Sequence, residues 1–413
     1  MARLCASILT ILFAAGFSAG AAGFSAAAAD TLKPGKPEIQ SASQLAFGPE
    51  GILFVGDSRQ AAVFAIATDD TKPAPAANLD IKAANEKMAA ALGIPADQLL
   101  INDVKVNPIS HKIYVAVSRG RGPDGIPVIL RIDGSGNISE FSLDKVRYAI
   151  AKLVDAPEAK PDASVRGPEG KVNANPRTRT IHAISYFDGK VLVAGLSNED
   201  FASDMRSIPF PFKEVEKGTG IRIWHSAHGR YETAAPVRTF VPYTIDKQQF
   251  ILASYSCTPL VKIPVNQLKP GGKVQGVTVA ELGENSTPLD MFSYKKDGRN
   301  YILMATTSRG VMKITADKLS EYKPIGPPTP ACEQSVEGNG RAPKECAGEI
   351  AGVPYQTVAG LKGVWKLAKA DDKSAIVLAD RNAPQKPPLV DGNATWFTLD
   401  PSTTMDLTTV PLP

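Results

Sequence analysis

One pattern of apolar and polar positions recurs six times along the chain. A short apolar run is followed by a tight polar turn. A second apolar run then ends in a small residue followed by Ser, Asp, Arg or Asn, and a third apolar run comes later. The first copy reads Leu45 to Phe47, the turn Gly48-Pro49-Glu50-Gly51, Ile52 to Gly56, Asp57-Ser58-Arg59 and Val63 to Ile66. The second has Val104 to Val106, Asn107-Pro108, Ile113 to Ala116, Ser118-Arg119 and Val128 to Ile132. The third has Ala183 to Tyr186, Asp188-Gly189, Val191 to Ala194, Ser197-Asn198 and, after a long insertion, Ile221 to Trp224. Phe250 to Ala253 and Leu260 to Ile263 belong to the fourth, and Met291 to Tyr294, Ile302 to Ala305 and Val311 to Ile314 to the fifth. The sixth has Val364 to Leu367, Ile376 to Ala379, Asp380-Arg381-Asn382 and Trp396 to Leu399. Runs this short, rich in β-branched residues and bounded by Asp-Gly or Asn-Pro, predict antiparallel strands.

Units repeating at about 50 to 80 residues, each one small sheet plus a variable insertion, predict radial closure. Closing the ring covers the strand edges that an open sheet leaves unpaired. The expectation is an all-β chain forming a six-bladed β-propeller over residues 30–413, with short helical insertions on one face. Residues 156–180 or 325–360 leave room for a seventh, degenerate copy. The copy LAFGPEGILFVGDSRQAAVFAI, residues 45–66, resembles secreted propellers of the NHL and gluconolactonase-like kind. The resemblance runs through most of residues 38–410 and is architectural, so it does not carry a reaction with it. Its gluconolactonase-like side implies a metal site at the channel mouth.

In a propeller, the loops joining second to third strands and each fourth strand to the next first strand share one face. The long insertions fall there: 83–100, where Met88, Ala91 and Leu92 predict a short helix; 142–155, where Val146, Ile150, Leu153 and Val154 recur at helical spacing; 198–218; 325–360; and 382–393. Long ordered loops on a rigid scaffold are where binding and catalysis concentrate. Second strands ending on that face bring Arg59, Arg119, Arg309 and Arg381, which can read a small anionic molecule or a partner protein through bidentate hydrogen bonds, with Asp57 holding their side chains in place and Asn198 beside them as a further ligand-binding residue. First strands beginning there, near Asn102-Asp103, His182, Tyr243, Asp290 and Lys362, add carboxylates. Asn102, Asp103, Asp290 and Asp380 form a set suited to Ca²⁺, which would polarise a lactone or phosphoester oxygen with His182 or an Asp as base. The third reading is that Asp and Arg of successive blades pair and seal the channel. The segment Phe201 to Phe212 concentrates Met205, Ile208, Phe210 and Phe212, as a lid, a docking surface for another exported protein, or packed cover. His225 and His228 have the spacing of a metal pair, but the pattern places them in an opposite-face turn with no carboxylate nearby.

Composition narrows the partners. The chain has 46 Lys plus Arg against 42 Asp plus Glu, a net charge of +4, so nothing points to nucleic acid. Residues 1–29, with Arg3, an apolar run from Leu9 to Phe13 and small residues before Asp30, have the form of a secretory signal peptide. No later stretch is long and apolar enough to span a membrane, so the mature protein is expected to be periplasmic or secreted. In an oxidising compartment Cys332 and Cys346 are the default disulfide, leaving Cys257 as a buried thiol. There is no Cys-x-x-Cys-His haem attachment sequence, no His-Glu-x-x-His helix and no phosphate-binding glycine-rich loop, and the three Trp do not repeat in register.

Overall fold

Short apolar runs separated by tight turns pair with their chain neighbours as hairpins, and this local rule builds six largely antiparallel sheets, one with an added parallel strand, beside a separate two-stranded hairpin. The structure is a computed structural model describing residues 31–121, 124–162, 164–167, 170–317, 319–338, 342–380 and 403–413. The expected signal peptide, Arg381, Asn382, the 382–393 insertion and Trp396 to Leu399 lie outside the described residues.

The first blade has β1 (Lys33–Gly35), β2 (Gln44–Phe47), β3 (Ile52–Asp57) and β4 (Ala62–Ala67). After β5 (Asp80–Ile81) and the helix α1 (Ala84–Ala91) comes the second blade, β6 (Leu99–Val106), β7 (Ile113–Arg119), β8 (Ile126–Ile132) and β9 (Ile138–Glu140). β10 (Val146–Lys152) returns to the first blade and pairs with both β4 and β1. β11 (Ser164–Gly167) and β12 (Gly170–Asn173) form a separate hairpin. The third blade is β13 (Ala183–Phe187), β14 (Lys190–Leu196), β15 (Ser203–Pro209) and β16 (Thr219–His225), with β17 (Arg230–Glu232) folded back on β16. The fourth has β18 (Thr239–Ile245), β19 (Gln248–Ser254) and β20 (Pro259–Pro264); β21 (Lys273–Gln275) then pairs with β16, and β22 (Val277–Glu281) completes the blade. The fifth is β23 (Pro288–Lys296), β24 (Arg299–Thr306) and β25 (Gly310–Thr315); β26 (Ala351–Gly352) extends β22, and β27 (Tyr355–Thr357) closes the fifth blade. The sixth is β28 (Val364–Lys369), β29 (Ser374–Ala379) and β30 (Asp406–Pro411), with β5 from the chain's beginning as its outer strand.

The inner strands close a ring in the order β2, β6, β28, β23, β18, β13 and back to β2. The first blade therefore stands between the second and the third, and the ring order departs from chain order at this one place. Burial explains how β3 specifies the arrangement. All six of its residues are buried because a blade packs on both faces, and period-two alternation sends successive side chains to opposite neighbours. Leu53 and Val55 join Tyr114, Ala116 and Ile129 of the second blade, while Ile52 and Phe54 join Ile184, Val193 and Phe210 of the third. The Phe54 and Phe210 rings meet edge to face at 4.9 Å. Each fully buried side chain of this size stabilises the packing by about 1.5–3 kcal/mol.

Two expectations change and two open points are resolved. Residues 146–152 form a strand, not a helix: Val146 packs toward the second blade and Ala151 toward the third, while Ile150 and Val154 are exposed. The Phe201 to Phe212 segment contains the third strand of its blade; Met205, Ile208 and Phe210 are buried in interblade cores, which makes it structural cover. Among the described residues there is no seventh blade, since 156–180 supplies one hairpin and 325–360 supplies the edge strands β26 and β27. The third strand of the sixth blade is β30, not Trp396 to Leu399. The helix expected within 83–100 is present as α1.

Candidate functional site

Asp103 and Asp290 lie on inner strands of different blades and converge in the channel, but on a lysine. Lys105 Nζ donates to Asp103 Oδ1 at 2.9 Å and to Asp290 Oδ2 at 3.3 Å, and Lys366 Nζ stands 4.0 Å from Asp103. Backbone N–H groups fill the remaining positions: Leu45 and Val104 donate to Asp103, Met291 and Leu367 to Asp290. Burial opposes the charge on Lys105, yet the two carboxylates outweigh it and hold the ammonium protonated. Asn102 turns away, its amide donating to the Ala42 carbonyl at 2.9 Å and approaching Ser118 Oγ at 3.3 Å. Asp380 follows β29, and its N–H donates to Gly363 O. A cation here would compete with two ammonium groups.

The residues expected to hold an anion are spread around the face with separate partners. Asp57 is buried and accepts from Gln40 N, Ser41 Oγ and Gln60 N. Arg59 pairs with Asp162 at 2.7 Å, and Arg119 approaches Glu140 at 3.5 Å. The Asn198 side chain is exposed, and its N–H donates to Asp155 O. His182 precedes β13 and is buried; burial, then the charges of Arg238 and Arg179, hold its pKa well below the usual value, so it stays neutral. Tyr243 lies mid-strand rather than at a strand start.

Arg309 is placed differently. It stands in the turn between β24 and β25 and lines a cleft of about 340 Å³ between the fifth and sixth blades. The other wall is the segment leading into β28, with Val358, Lys362 and Trp365. Arg309 Nη2 reaches Glu284 O at 3.4 Å, whereas its Nε is buried without a hydrogen-bond partner. Lys362 is exposed at the rim.

A further cluster lies between the third and fourth blades. Because β15 is the third strand, β16 is the fourth, and the turn 226–228 at its end lies on the decorated face, contrary to the expectation from sequence. It faces the turn between β19 and β20, where Cys257 and Thr258 adopt φ of 61° and 57°. Non-glycine residues there cost about 1–3 kcal/mol each. His225 Nδ1 and His228 Nδ1 both bond to the Glu232 carboxylate, at 2.8 and 2.7 Å. Cys257 Sγ lies 3.7 Å from His228 Nε2. Among the described residues, His225, His228 and Cys257 are the one group of three or more His, Cys, Asp or Glu whose ligand atoms lie mutually close, all within 4.8 Å.

These groups charge one another. Burial would raise the Cys257 thiol, but the imidazoles of His225 and His228 beside it bring it down to about 6. Burial would lower His225, but Cys257 and Glu232 raise it to about 9. The same two partners raise the less buried His228 to about 10. Glu232 is held far below the usual carboxylate range by both histidines, against its burial. Glu281, which accepts from Ser226 N at 2.7 Å, is pushed up to about 7 by burial.

The disulfide expected from sequence, Cys332–Cys346, is present and packs against this turn. Trp224 shares a small core with both of its cysteines, and Gly348 N donates to Ser226 O at 2.8 Å. Gly229 takes φ +63°, and a Cβ there would stand 2.7 Å from Ala347 N, so contact this close requires glycine.

No protein-family model and no curated protein matches the chain. Among solved structures it is similar to the PQQ-bound form of aldose sugar dehydrogenase from Streptomyces coelicolor, at 11% identity over 91% of this chain and 96% of that one, TM-score 0.33. It is also similar to streptogramin B lyase, at 9% identity over 92% and 97% of the two chains, TM-score 0.30. The third likeness is to the extracellular domains of Drosophila semaphorin 1b, at 9% identity over 92% and 87%, TM-score 0.36.

Proposed function

We propose that this chain is an exported propeller that binds a small organic anion in the cleft between its fifth and sixth blades. The observation that carries the reading is Arg309, which lines a cleft of about 340 Å³ and whose Nη2 is tied to Glu284 O by one long hydrogen bond of 3.4 Å. A carboxylate is the group such a donor recognises. Leu361, Val364 and Trp365 offer the apolar contacts for the rest of a small molecule, and Lys362 adds positive charge. Export is supported by the form of residues 1–29 and by the disulfide. Among the described residues no helix is long and apolar enough to cross a membrane.

The test is calorimetric titration of the mature protein with acetate, benzoate and inorganic phosphate, repeated on Arg309→Gln. A lost charge-assisted hydrogen bond is worth about 1.5–3 kcal/mol, so affinity should fall by about 10–100-fold. Absence of binding by every probe at millimolar concentration, or equal binding by the variant, would refute the reading.

The second reading, Ca²⁺-assisted hydrolysis of the lactonase type, is favoured by the convergence of Asp103 and Asp290 from two blades. It requires a cation to displace Lys105 from both carboxylates. Elemental analysis of the purified protein and thermal stability with added Ca²⁺ test it, and an effect of neither kind removes it.

A further inference from the structure

We infer that His225, His228 and Cys257 form a binding site for one divalent d-block cation of the Zn²⁺ type, built from residues that the anion cleft does not share. Two imidazoles and one thiolate make a borderline-soft donor set, suited to Zn²⁺ and poorly suited to Ca²⁺ or Mg²⁺. Donors about 2.0–2.3 Å from a tetrahedral ion are separated from each other by about 3.6 Å. The Cys257 Sγ to His228 Nε2 distance is 3.7 Å, a spacing that also admits an ion between them.

Two further observations point the same way. The His225 side chain is 2% exposed, and its Nε2 is buried with no hydrogen-bond partner. A buried polar atom left so bears its desolvation cost uncompensated unless something meets it. Glu232 accepts a hydrogen bond from the Nδ1 of each histidine, which leaves both Nε2 atoms available to an ion, that of His228 beside the Cys257 sulfur. A carboxylate that orients metal-binding imidazoles through their far nitrogens is the usual outer support of such sites. The three ligands come from the ends of two blades and are braced by the disulfide segment. His228 is 39% exposed, so the fourth position faces solvent and is open to water or another ligand. On binding, protons on the thiol and on either Nε2 pass to solvent, and no oxidation or reduction is involved.

The test uses the mature full chain with its disulfide intact, stripped of metal by dialysis against chelator and titrated with Co²⁺. The expected result is one equivalent bound, with a thiolate-to-cobalt charge-transfer band that Zn²⁺ displaces. Cys257→Ser should abolish the band while circular dichroism shows the fold retained. Glu232→Gln should weaken Zn²⁺ binding by about 10–100-fold. Arg309→Gln should leave metal binding unchanged, which separates this site from the anion cleft. As an independent readout, Zn²⁺ should slow alkylation of Cys257 by iodoacetamide. Substoichiometric Co²⁺ without the band, full binding by Cys257→Ser, or alkylation indifferent to Zn²⁺ would each overturn the assignment.

Discussion

Replacing Arg206 by alanine should destabilise the protein far more than removing any surface cation. The Arg206 side chain is 1% exposed and that of Asp155 0%, and the guanidinium Nε donates to Asp155 Oδ1 at 2.6 Å. Its other nitrogens donate to Thr180 O at 3.2 Å and Leu196 O at 3.0 Å. Asp155 Oδ2 accepts from Gly218 N at 2.7 Å, so the pair ties the segment after β10 to the third blade. Truncation leaves a buried carboxylate with one donor and two carbonyls without theirs. Breaking a buried pair from one side costs about 3–5 kcal/mol, because the remaining charge is uncompensated. The assay is urea unfolding followed by tryptophan fluorescence and circular dichroism, with Lys217→Ala as control. Lys217 pairs with Glu199 at 2.7 Å in solvent, and its loss should leave the midpoint in place. The double variant Arg206→Met with Asp155→Leu should recover part of the loss, since apolar replacement of both partners removes the stranded charge. A cost below about 1 kcal/mol for Arg206→Ala, the range of an exposed pair, would refute the reasoning.

Burial pushes the Asp204 carboxyl up to about 7 against the pull of Arg206, so the folded state holds its proton more tightly than the unfolded chain. This group's contribution is present in full below its unfolded pKa of about 3.9 and is lost as pH rises through 7. Wild type should therefore gain stability relative to Asp204→Asn between pH 8 and 5 in urea titrations; parallel profiles would count against it. The Cys332–Cys346 bridge spans a separation of 14 residues. Loop closure of that length is worth about 3 kcal/mol, so Cys332→Ala with Cys346→Ala should lower the unfolding midpoint accordingly. An unmoved midpoint would show that the segment's packing alone holds it.

The blades were legible because their central strands are buried on both sides. Runs such as Ile52 to Val55 have no other use than a sheet packed face to face. The third strand of the third blade was not legible, and the reason is its two buried charged residues. β15 reads Ser-Asp-Met-Arg-Ser-Ile-Pro, and its charges look like loop residues, although Asp204 and Arg206 are fully buried. Missing one strand shifts the count by one and moves His225 to Gly229 to the wrong face. The carboxylate described as missing near that histidine pair is Glu232, four residues after His228 and bonded to it. Cys257 joins them only through packing of adjacent blades. The convergence of Asp103 and Asp290 was legible from strand starts. Their partners Lys105 and Lys366 stand one strand turn deeper, flanked by apolar neighbours that mark only an inner strand. The return of β10 to the first blade leaves no trace in local pattern, because pairing across a whole blade depends on tertiary contacts alone.

The position of the first blade changes what the N-terminal part of the protein is. Strands β2 to β4 act as a keystone set into a gap that the later chain leaves in its own circle, joined to it by an exposed link, Thr71 to Pro75. A cut in that link would trim no end from the molecule. It would yield a split protein whose short piece is gripped on both flanks and at its edge by β10, so that neither piece could leave without opening the circle.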